Sequence, residues 1–255
     1  MKKIIQKIYL ACLLLVSVTT LQSCGSSEQP YQTSALDVLI REMNAIPNFT
    51  ILLFDMDYEE HLFSSNVYRQ KYQIIIPQAD GELEVKETNW EEVSRSFFEA
   101  NVNNMGMEIA NKTDGKLSKT VAPAGYSQYV GNPQYGQWRE SNGTSFWEFY
   151  GRYAMMSSLF NLMSPINRSY YDDYSRNYRG SRPYYGSSAA GAPSYGTQST
   201  VKNRGTSSTW AKKQSTFRSG VQNLVSRSSG TSSRSQRTTR SSSRSYRSRG
   251  GGFGK

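Results

Sequence analysis

The chain has few of the side chains that most often carry out chemistry in proteins. Its 255 residues include two cysteines, Cys12 and Cys24, and a single histidine, His61. For the part of the chain after residue 24, this excludes disulfide bonds, a cysteine-based zinc site and a site with three histidine ligands. The sequence also lacks a phosphate-binding P-loop, a Gly-x-Ser-x-Gly nucleophile elbow and a His-Glu-x-x-His zinc helix. We therefore expect no cofactor and no resident metal.

Acidic residues are absent from the last third of the chain. All 20 of them lie between Glu28 and Asp173, and residues 24–173 contain 11 Lys or Arg, so this region has a net charge of −9. Residues 174–255 contain 16 Lys or Arg and no acid. Such asymmetry predicts an acidic folded body followed by a basic tail.

Long apolar runs are confined to the first 23 residues. Three lysines in the first seven positions precede "IYLACLLLVSV", which has the length of a secretory signal and is too short for a good bilayer-spanning helix. The run ends in "LQSC", residues 21–24, which resembles the lipobox of bacterial lipoproteins in the style of the Bacteroidota. This resemblance covers the leader alone. The alternative is an ordinary signal peptide in which Cys24 is incidental.

The lipobox resemblance implies that residues 1–23 are removed as a signal peptide and that Cys24 becomes the lipid-attachment site. The protein would then be anchored by lipid in the cell envelope. Because Gly25 stands where many inner-membrane lipoproteins have aspartate, the outer membrane is the favoured location. An exported protein meets no intracellular nucleic acid, so we expect no such partner.

Residues 34–122, after a linker over 24–33, are predicted to form a small α+β domain with a mixed or antiparallel sheet and two packing helices. Ser34 is a candidate N-cap for the first helix, and Thr88 with Glu91 forms a capping-box pattern for the second. Between them, "NFTILLFDMD" has the apolar run of a strand that is buried on both faces. Two further strands, "VYRQKYQIII" and "ELEVK", follow it.

The segment "ILLFDMDYEEHLF", residues 51–63, contains the acidic pair Asp55 and Asp57. The pair resembles the first motif of the haloacid-dehalogenase-type phosphatases, which implies a nucleophile at Asp55 and a general acid and base at Asp57. Tyr58 and Glu59 depart from the residues that let the loop of that family turn beneath a phosphate. A weak calcium or magnesium site is a second interpretation. The favoured interpretation is a core strand with a solvated acidic exit, which is also a place where the basic tail could bind.

Residues 123–165 form an aromatic segment in which Tyr and Trp first alternate with Gly and Pro. Its second part is predicted to be an apolar helix from Ser145 to Ser164, because a capping-box pattern begins it and apolar residues follow at helical spacing. A helix that is apolar on most sides is buried, docked on a partner or laid on a membrane interface. The predicted partner-binding residues are Trp138, Phe146, Trp147, Phe149, Tyr150 and Tyr153.

Residues 166–255 are predicted to be a disordered basic tail, rich first in Tyr and Arg and then in Ser, Arg and Gly. Their few aliphatic side chains cannot offset the entropy that is lost on ordering. In the cell envelope, the anionic partners for such a tail are lipid headgroups and acidic polysaccharide.

These features together predict a lipid-anchored bacterial envelope protein with a non-catalytic binding or scaffolding role. Lipidated Cys24 is predicted to bind the membrane. The tail is predicted to bind anionic lipid or polysaccharide, and the aromatic segment is predicted to bind an envelope protein. The alternative function is a metal-dependent hydrolase or phosphatase-like enzyme that uses Asp55 and Asp57.

Overall fold

The structure is a computed structural model that describes residues 34–63, 65–160, 166–186 and 193–231. The predicted signal peptide, Cys24, the linker over 24–33 and the last 24 residues of the tail lie outside the described residues. The described residues from Ala35 onward belong to one compact unit.

The main sheet has seven strands, all paired antiparallel. In chain order they are β1 (Phe49–Glu59), β2 (Val67–Pro77), β3 (Leu83–Glu87), β4 (Glu91–Glu92), β5 (Met107–Thr113), β6 (Lys116–Ser118) and β7 (Ala122–Pro123). The spatial order is β3-β2-β1-β5-β6, with β4 paired to β2 and β7 paired to β5. The strand predicted to be buried on both faces, β1, therefore lies in the centre of the sheet.

A second, smaller sheet, seven α-helices and two short 3₁₀ helices, Gly151–Tyr153 and Gly205–Ser207, complete the fold of the described residues. The smaller sheet has the order β10-β9-β8, from β8 (Gly136–Ser141), β9 (Thr144–Phe149) and β10 (Ile166–Asn167). The helices are α1 (Ala35–Glu42), α2 (Arg95–Asn101), α3 (Met155–Leu159), α4 (Arg168–Asn177), α5 (Thr197–Arg204), α6 (Thr209–Lys212) and α7 (Ser215–Thr231).

The two faces of the main sheet bury two different cores, because successive side chains of a strand point to opposite faces. Ile51 and Leu53 point into one core, and Leu52 points into the other. The helix-side core comprises Leu36, Met43, Phe49, Ile51, Leu53, Met56, Tyr72, Ile74, Ile76, Val93, Phe98, Val102, Met105, Ile109, Ala110 and Trp210. The aromatic-side core comprises Leu52, Ile75, Ala122, Ala124, Tyr126, Tyr129, Val130, Tyr135, Trp147, Phe149, Tyr153, Met156, Phe160, Ile166, Tyr174 and Tyr184.

The predicted α+β class is confirmed, with helices and antiparallel sheets. The first predicted helix is present as α1, but the second begins later than the capping-box pattern at Thr88 indicated. Ser94 caps α2 instead, and its Oγ accepts a hydrogen bond from Phe97 N at 3.2 Å. The Thr88 hydroxyl accepts from Tyr72 N at 3.0 Å, so it completes the edge of β2 and does not cap a helix.

The helix predicted from Ser145 to Ser164 is wrong over its first part, where the structure has strand β9. Trp147 and Phe149 point into the aromatic-side core, while Glu148 between them is exposed. Successive side chains therefore alternate between the two faces, with the two-residue period of a strand. The reason is the preceding Asn142-Gly143 turn. Both residues have positive φ, 50° and 73°, and an Asn-Gly pair with this conformation is a strong β-hairpin signal. Within the predicted range, the described helix is α3.

The prediction of disorder from residue 166 is wrong for residues 166–186 and 193–231, which carry α4 to α7. Tyr174 and Tyr184 are buried in the aromatic-side core, and Trp210 is buried in the helix-side core. The low aliphatic content was a poor guide here, because large aromatic side chains bury about 150–250 Å² each and can replace aliphatic burial. The remaining predicted tail, residues 232–255, lies outside the described part of the chain.

Candidate functional site

The carboxylate of Asp55, in the second half of β1, is buried and binds the segment that leads into α6. Its Oδ1 accepts hydrogen bonds from the Ser208 hydroxyl at 2.7 Å and from Trp210 N at 3.2 Å. Its Oδ2 accepts from Thr209 N at 2.7 Å. A hydrogen bond from the neighbouring Met56 N, at 2.9 Å, completes the set. The carboxylate predicted as a nucleophile is therefore surrounded by protein donors.

Asp57 is bound by basic side chains. Its carboxylate lies 2.8 Å from Lys213 Nζ and 3.6 Å from Arg69 Nη1. Lys213 also donates to Tyr58 O at 3.0 Å, and Arg204 donates to the backbone of the same strand, at Phe54 O, at 2.6 Å. The basic segment thus binds along the acidic end of β1.

The acidic residues from Asp55 to Glu60 do not gather into a metal site in the described residues. Glu59 pairs with Arg69 at 2.6 Å, and this hydrogen bond is the main reason why the pKa of Glu59 lies below its usual value. In the described part of the chain, no group of three His, Cys, Asp or Glu side chains is placed to hold a metal ion. In the described residues, Asp55, Asp57 and Glu59 are therefore each bound by protein donors or basic side chains.

The six predicted partner-binding residues do not share one exposed surface. Trp147, Phe149 and Tyr153 are buried in the aromatic-side core. Trp138 is half-buried and lies 5.1 Å from Trp147, measured between ring centroids, in an edge-on arrangement. The two others, Phe146 and Tyr150, retain solvent-accessible surface, and Tyr150 is 40% exposed. Within this set, accessible surface for a partner is thus limited to Trp138, Phe146 and Tyr150.

A cleft of about 360 Å³ opens between the β5–β6 hairpin and the end of α4. We call it the Ser127 cleft; it is lined by Asn111, Thr113, Lys116, Leu117, Ser118, Thr120, Ser127, Tyr174, Arg179 and Gly180. Arg179 Nη2 donates to Ser127 O at 2.6 Å, and the Ser127 and Tyr174 hydroxyls lie 3.1 Å apart. Hydroxyl, amide and cationic groups therefore face the cleft, as in sites that bind polar or anionic ligands.

Glu108 is fully buried next to this cleft, and sequence reasoning missed it. It lies opposite Leu52 in the β1–β5 pairing, so its side chain points to the aromatic side of the sheet. Burial raises the pKa of Glu108 to about 7, and the nearby Ser127 and Asn111 only partly oppose this rise, since neither carboxylate oxygen has a hydrogen-bond partner in the described structure. The sequence carries no signal of this burial, because Glu108, Ala110 and Lys112 alternate with Met107 and Ile109 as on a strand with one solvent-facing side.

The chain matches no protein-family model, no curated protein and no solved structure.

Two large apolar side chains are almost completely exposed at the end of the β1–β2 hairpin. Leu62 is 90% exposed and Phe63 is 101% exposed. The base of this loop is held by Asn66, whose Oδ1 accepts from His61 N at 3.1 Å and whose Nδ2 donates to the Tyr58 hydroxyl at 2.8 Å. We call Leu62 and Phe63 the hairpin tip. Among the described helices, none has the length and apolar character that crossing a bilayer requires.

Proposed function

We propose that this chain is a lipid-anchored envelope protein with a non-catalytic binding role, and that its last 24 residues contact anionic lipid or polysaccharide. The observation that carries the proposal is the position of Asp55, whose carboxylate accepts hydrogen bonds from Ser208, Thr209 and Trp210. This contact gives the acidic end of β1 a structural role. It also attaches the basic half of the chain to the folded body.

The basic half divides into two parts with different uses. In the first part, basic side chains bind protein groups, as Lys213 does with Asp57 and Arg204 does with Phe54 O. Arg218 donates to Ala211 O at 2.7 Å, within the segment itself. Because Lys213 already neutralises Asp57, residues 232–255 are not needed to neutralise the acidic end of β1. Residues 232–255 contain seven Lys or Arg and no acid, so they supply a separate cationic segment.

The charge of this segment is sufficient for attachment to an anionic surface. Each basic residue near an anionic bilayer contributes about 1 kcal/mol, and the attraction decays within a Debye length. Several of the seven charges acting together give stable attachment at low salt. The same mechanism predicts that attachment is lost at high salt, since the Debye length falls from about 10 Å at 0.1 M to about 3 Å at 1 M.

Vesicle flotation tests this role of the tail. A chain that begins at Gly25 retains the whole compact unit from Ala35 and lacks the leader. It should float with phosphatidylglycerol vesicles at about 0.1 M salt and be released at about 1 M. Replacing the six arginines of residues 232–255 with glutamine should abolish flotation. These arginines are Arg234, Arg237, Arg240, Arg244, Arg247 and Arg249.

The matched control is a chain in which the order of residues 232–255 is scrambled. Since attraction to a charged surface depends on charge and hardly on sequence order, the scrambled chain should float like the wild type. Unchanged flotation of the six-glutamine variant would refute the proposed role of the tail.

A further inference from the structure

The hairpin tip is the most exposed pair of large apolar side chains in the described residues. The other large apolar residues that are exposed there, such as Leu117 and Met155, are 42% and 48% exposed. Leu62 and Phe63, at 90% and 101%, have almost no contact with the rest of the fold. Single exposed apolar residues are common on protein surfaces, but two adjacent ones at the end of a projecting hairpin suggest an interaction.

The hairpin presents these side chains away from the sheet. Strands β1 and β2 remain paired as far as Glu59 and Val67, so the tip begins directly after a regular ladder. Asn66 binds both the loop backbone at His61 and the Tyr58 hydroxyl. The base of the loop is therefore fixed to the sheet, and the tip projects from it.

The small size of the tip identifies its partner. A stable interface between two proteins buries about 800 Å² on each side, which two side chains cannot supply. A lipid bilayer has no such requirement, because each apolar side chain that enters the interface contributes by its own buried area. We infer that Leu62 and Phe63 insert into the interfacial region of a lipid bilayer.

This inference rests on the proposed lipid anchor, which would hold the tip close to a membrane. Ten residues, 25–34, separate Cys24 from α1, and they reach at most about 35 Å when extended. Strand β1 has 11 residues and spans about 35 Å, so the tether is long enough to let either end of the main sheet reach the bilayer. The anchor would strengthen insertion, because it raises the effective concentration of the tip at the membrane, but insertion itself does not require the anchor.

The charges beside the tip predict the lipid preference. Glu60 is exposed next to the tip, whereas Glu59 is paired with Arg69. An unpaired carboxylate is repelled by anionic headgroups but not by zwitterionic ones. Insertion of the tip should therefore be detected on phosphatidylcholine vesicles and be insensitive to salt, in contrast to the salt-sensitive binding of the tail.

The experiment uses the chain from Gly25 to Lys255, which contains no cysteine, so a Ser65→Cys variant can be labelled at one position beside the tip. An environment-sensitive nitrobenzoxadiazole label there should shift its emission to the blue when phosphatidylcholine vesicles are added. The same label at Ser141→Cys, at the end of β8, should not shift. Leu62→Ser combined with Phe63→Ser should lower the partition coefficient about 30-fold, the order expected for two partly inserted apolar side chains.

The matched control is Leu117→Ser combined with Met155→Ser, which removes two exposed apolar side chains elsewhere and should leave partitioning unchanged. Equal partitioning of the tip variant and the wild type would overturn the inference, as would an unshifted label at residue 65. If the tip variant changes the sedimentation coefficient of the chain in solution, the tip contacts protein and the lipid inference is again overturned. A failure of the proposed tail binding can be distinguished from a failure of tip insertion. Tail binding is measured on phosphatidylglycerol vesicles at low salt, with the six-glutamine variant.

Discussion

Asp55 and Ser208 are 153 positions apart in the chain, and the Ser208 hydroxyl donates a hydrogen bond to the Asp55 carboxylate at 2.7 Å. The contact joins the central strand of the main sheet to the basic half of the chain. Thr209 N and Trp210 N donate to the same carboxylate, and Trp210 is completely buried in the helix-side core. A residue pair that resembled a catalytic motif therefore holds the C-terminal segment in place.

Asp55→Ala should destabilise the fold by about 3 kcal/mol, because it leaves the buried Ser208 hydroxyl and three backbone N–H groups without their charged acceptor. Urea unfolding measures this loss. Limited proteolysis should show faster cleavage within residues 197–213, which would detach from β1. Glu60→Ala, at an exposed carboxylate five residues further on, is the control and should change neither result. Equal stability of Asp55→Ala and the wild type would contradict the structural role of Asp55.

The stability of the protein should fall as the pH rises towards 7 and above. The pKa of Glu108 is about 7 in the folded chain, against an ordinary value of 4.5, so between these values the folded state binds more protons than the unfolded state. By linkage, the free energy of unfolding decreases over this interval, by about 3 kcal/mol in total. The neighbouring Tyr174 remains neutral there, since burial raises its pKa to about 12.

Glu108→Gln tests the origin of this pH dependence, because it keeps the shape of the side chain and removes the titration. The variant should be more stable than the wild type at about pH 8 and should lose most of the difference at about pH 5. Urea unfolding at both pH values provides the comparison. A pH dependence that persists in Glu108→Gln would assign the effect to other groups.

Gly143→Ala should destabilise the protein by about 1 kcal/mol, because φ is +73° at this position and an L-residue is strained there. The melting temperature should fall by about 3 °C for a chain of this size. Gly151→Ala is the control, since φ is not positive at Gly151 and an added Cβ there would meet no atom within 4 Å. If the two variants melt alike, the β8–β9 hairpin is not closed by this turn.

Cys24→Ala should release the protein from the envelope fraction of the cell if lipid at Cys24 is the anchor. If the tail is the independent attachment element that we propose, release should be complete only at high salt or after removal of residues 232–255. Cys12→Ala is the control, as this cysteine lies within the predicted signal peptide. Retention of Cys24→Ala after removal of the tail, at high salt, would exclude lipid at Cys24 as the principal anchor.

Local patterns predicted the first half of the fold better than the second. In β1, the uninterrupted run Ile51-Leu52-Leu53 indicated a strand with two buried faces, and the structure has a core on each side of it. In β9, the apolar residues fit a helical period almost as well as a strand period, and the Asn142-Gly143 turn was the deciding signal. Periodicity alone cannot separate these alternatives over short apolar stretches.

The Ser127 cleft and Glu108 could not be assembled from the sequence. Glu108, Ser127 and Tyr174 belong to three separate segments, and only the packing of α4 against the main sheet brings them together. The same holds for Arg179, whose bond to Ser127 O joins residues 52 positions apart. A short-range pattern carries no information about such pairs, since they form only when distant elements bury a common core.

The sequence by itself determined the α+β class, the central position of β1 and the separation of acidic from basic residues. These features follow from local periodicity and composition, which act on each segment independently. The tertiary structure decided the role of the acidic pair and the extent of the folded chain. Asp55 is a buried acceptor, and residues 166–186 and 193–231 are ordered, because Tyr174, Tyr184 and Trp210 find apolar surfaces formed by strands far away in sequence.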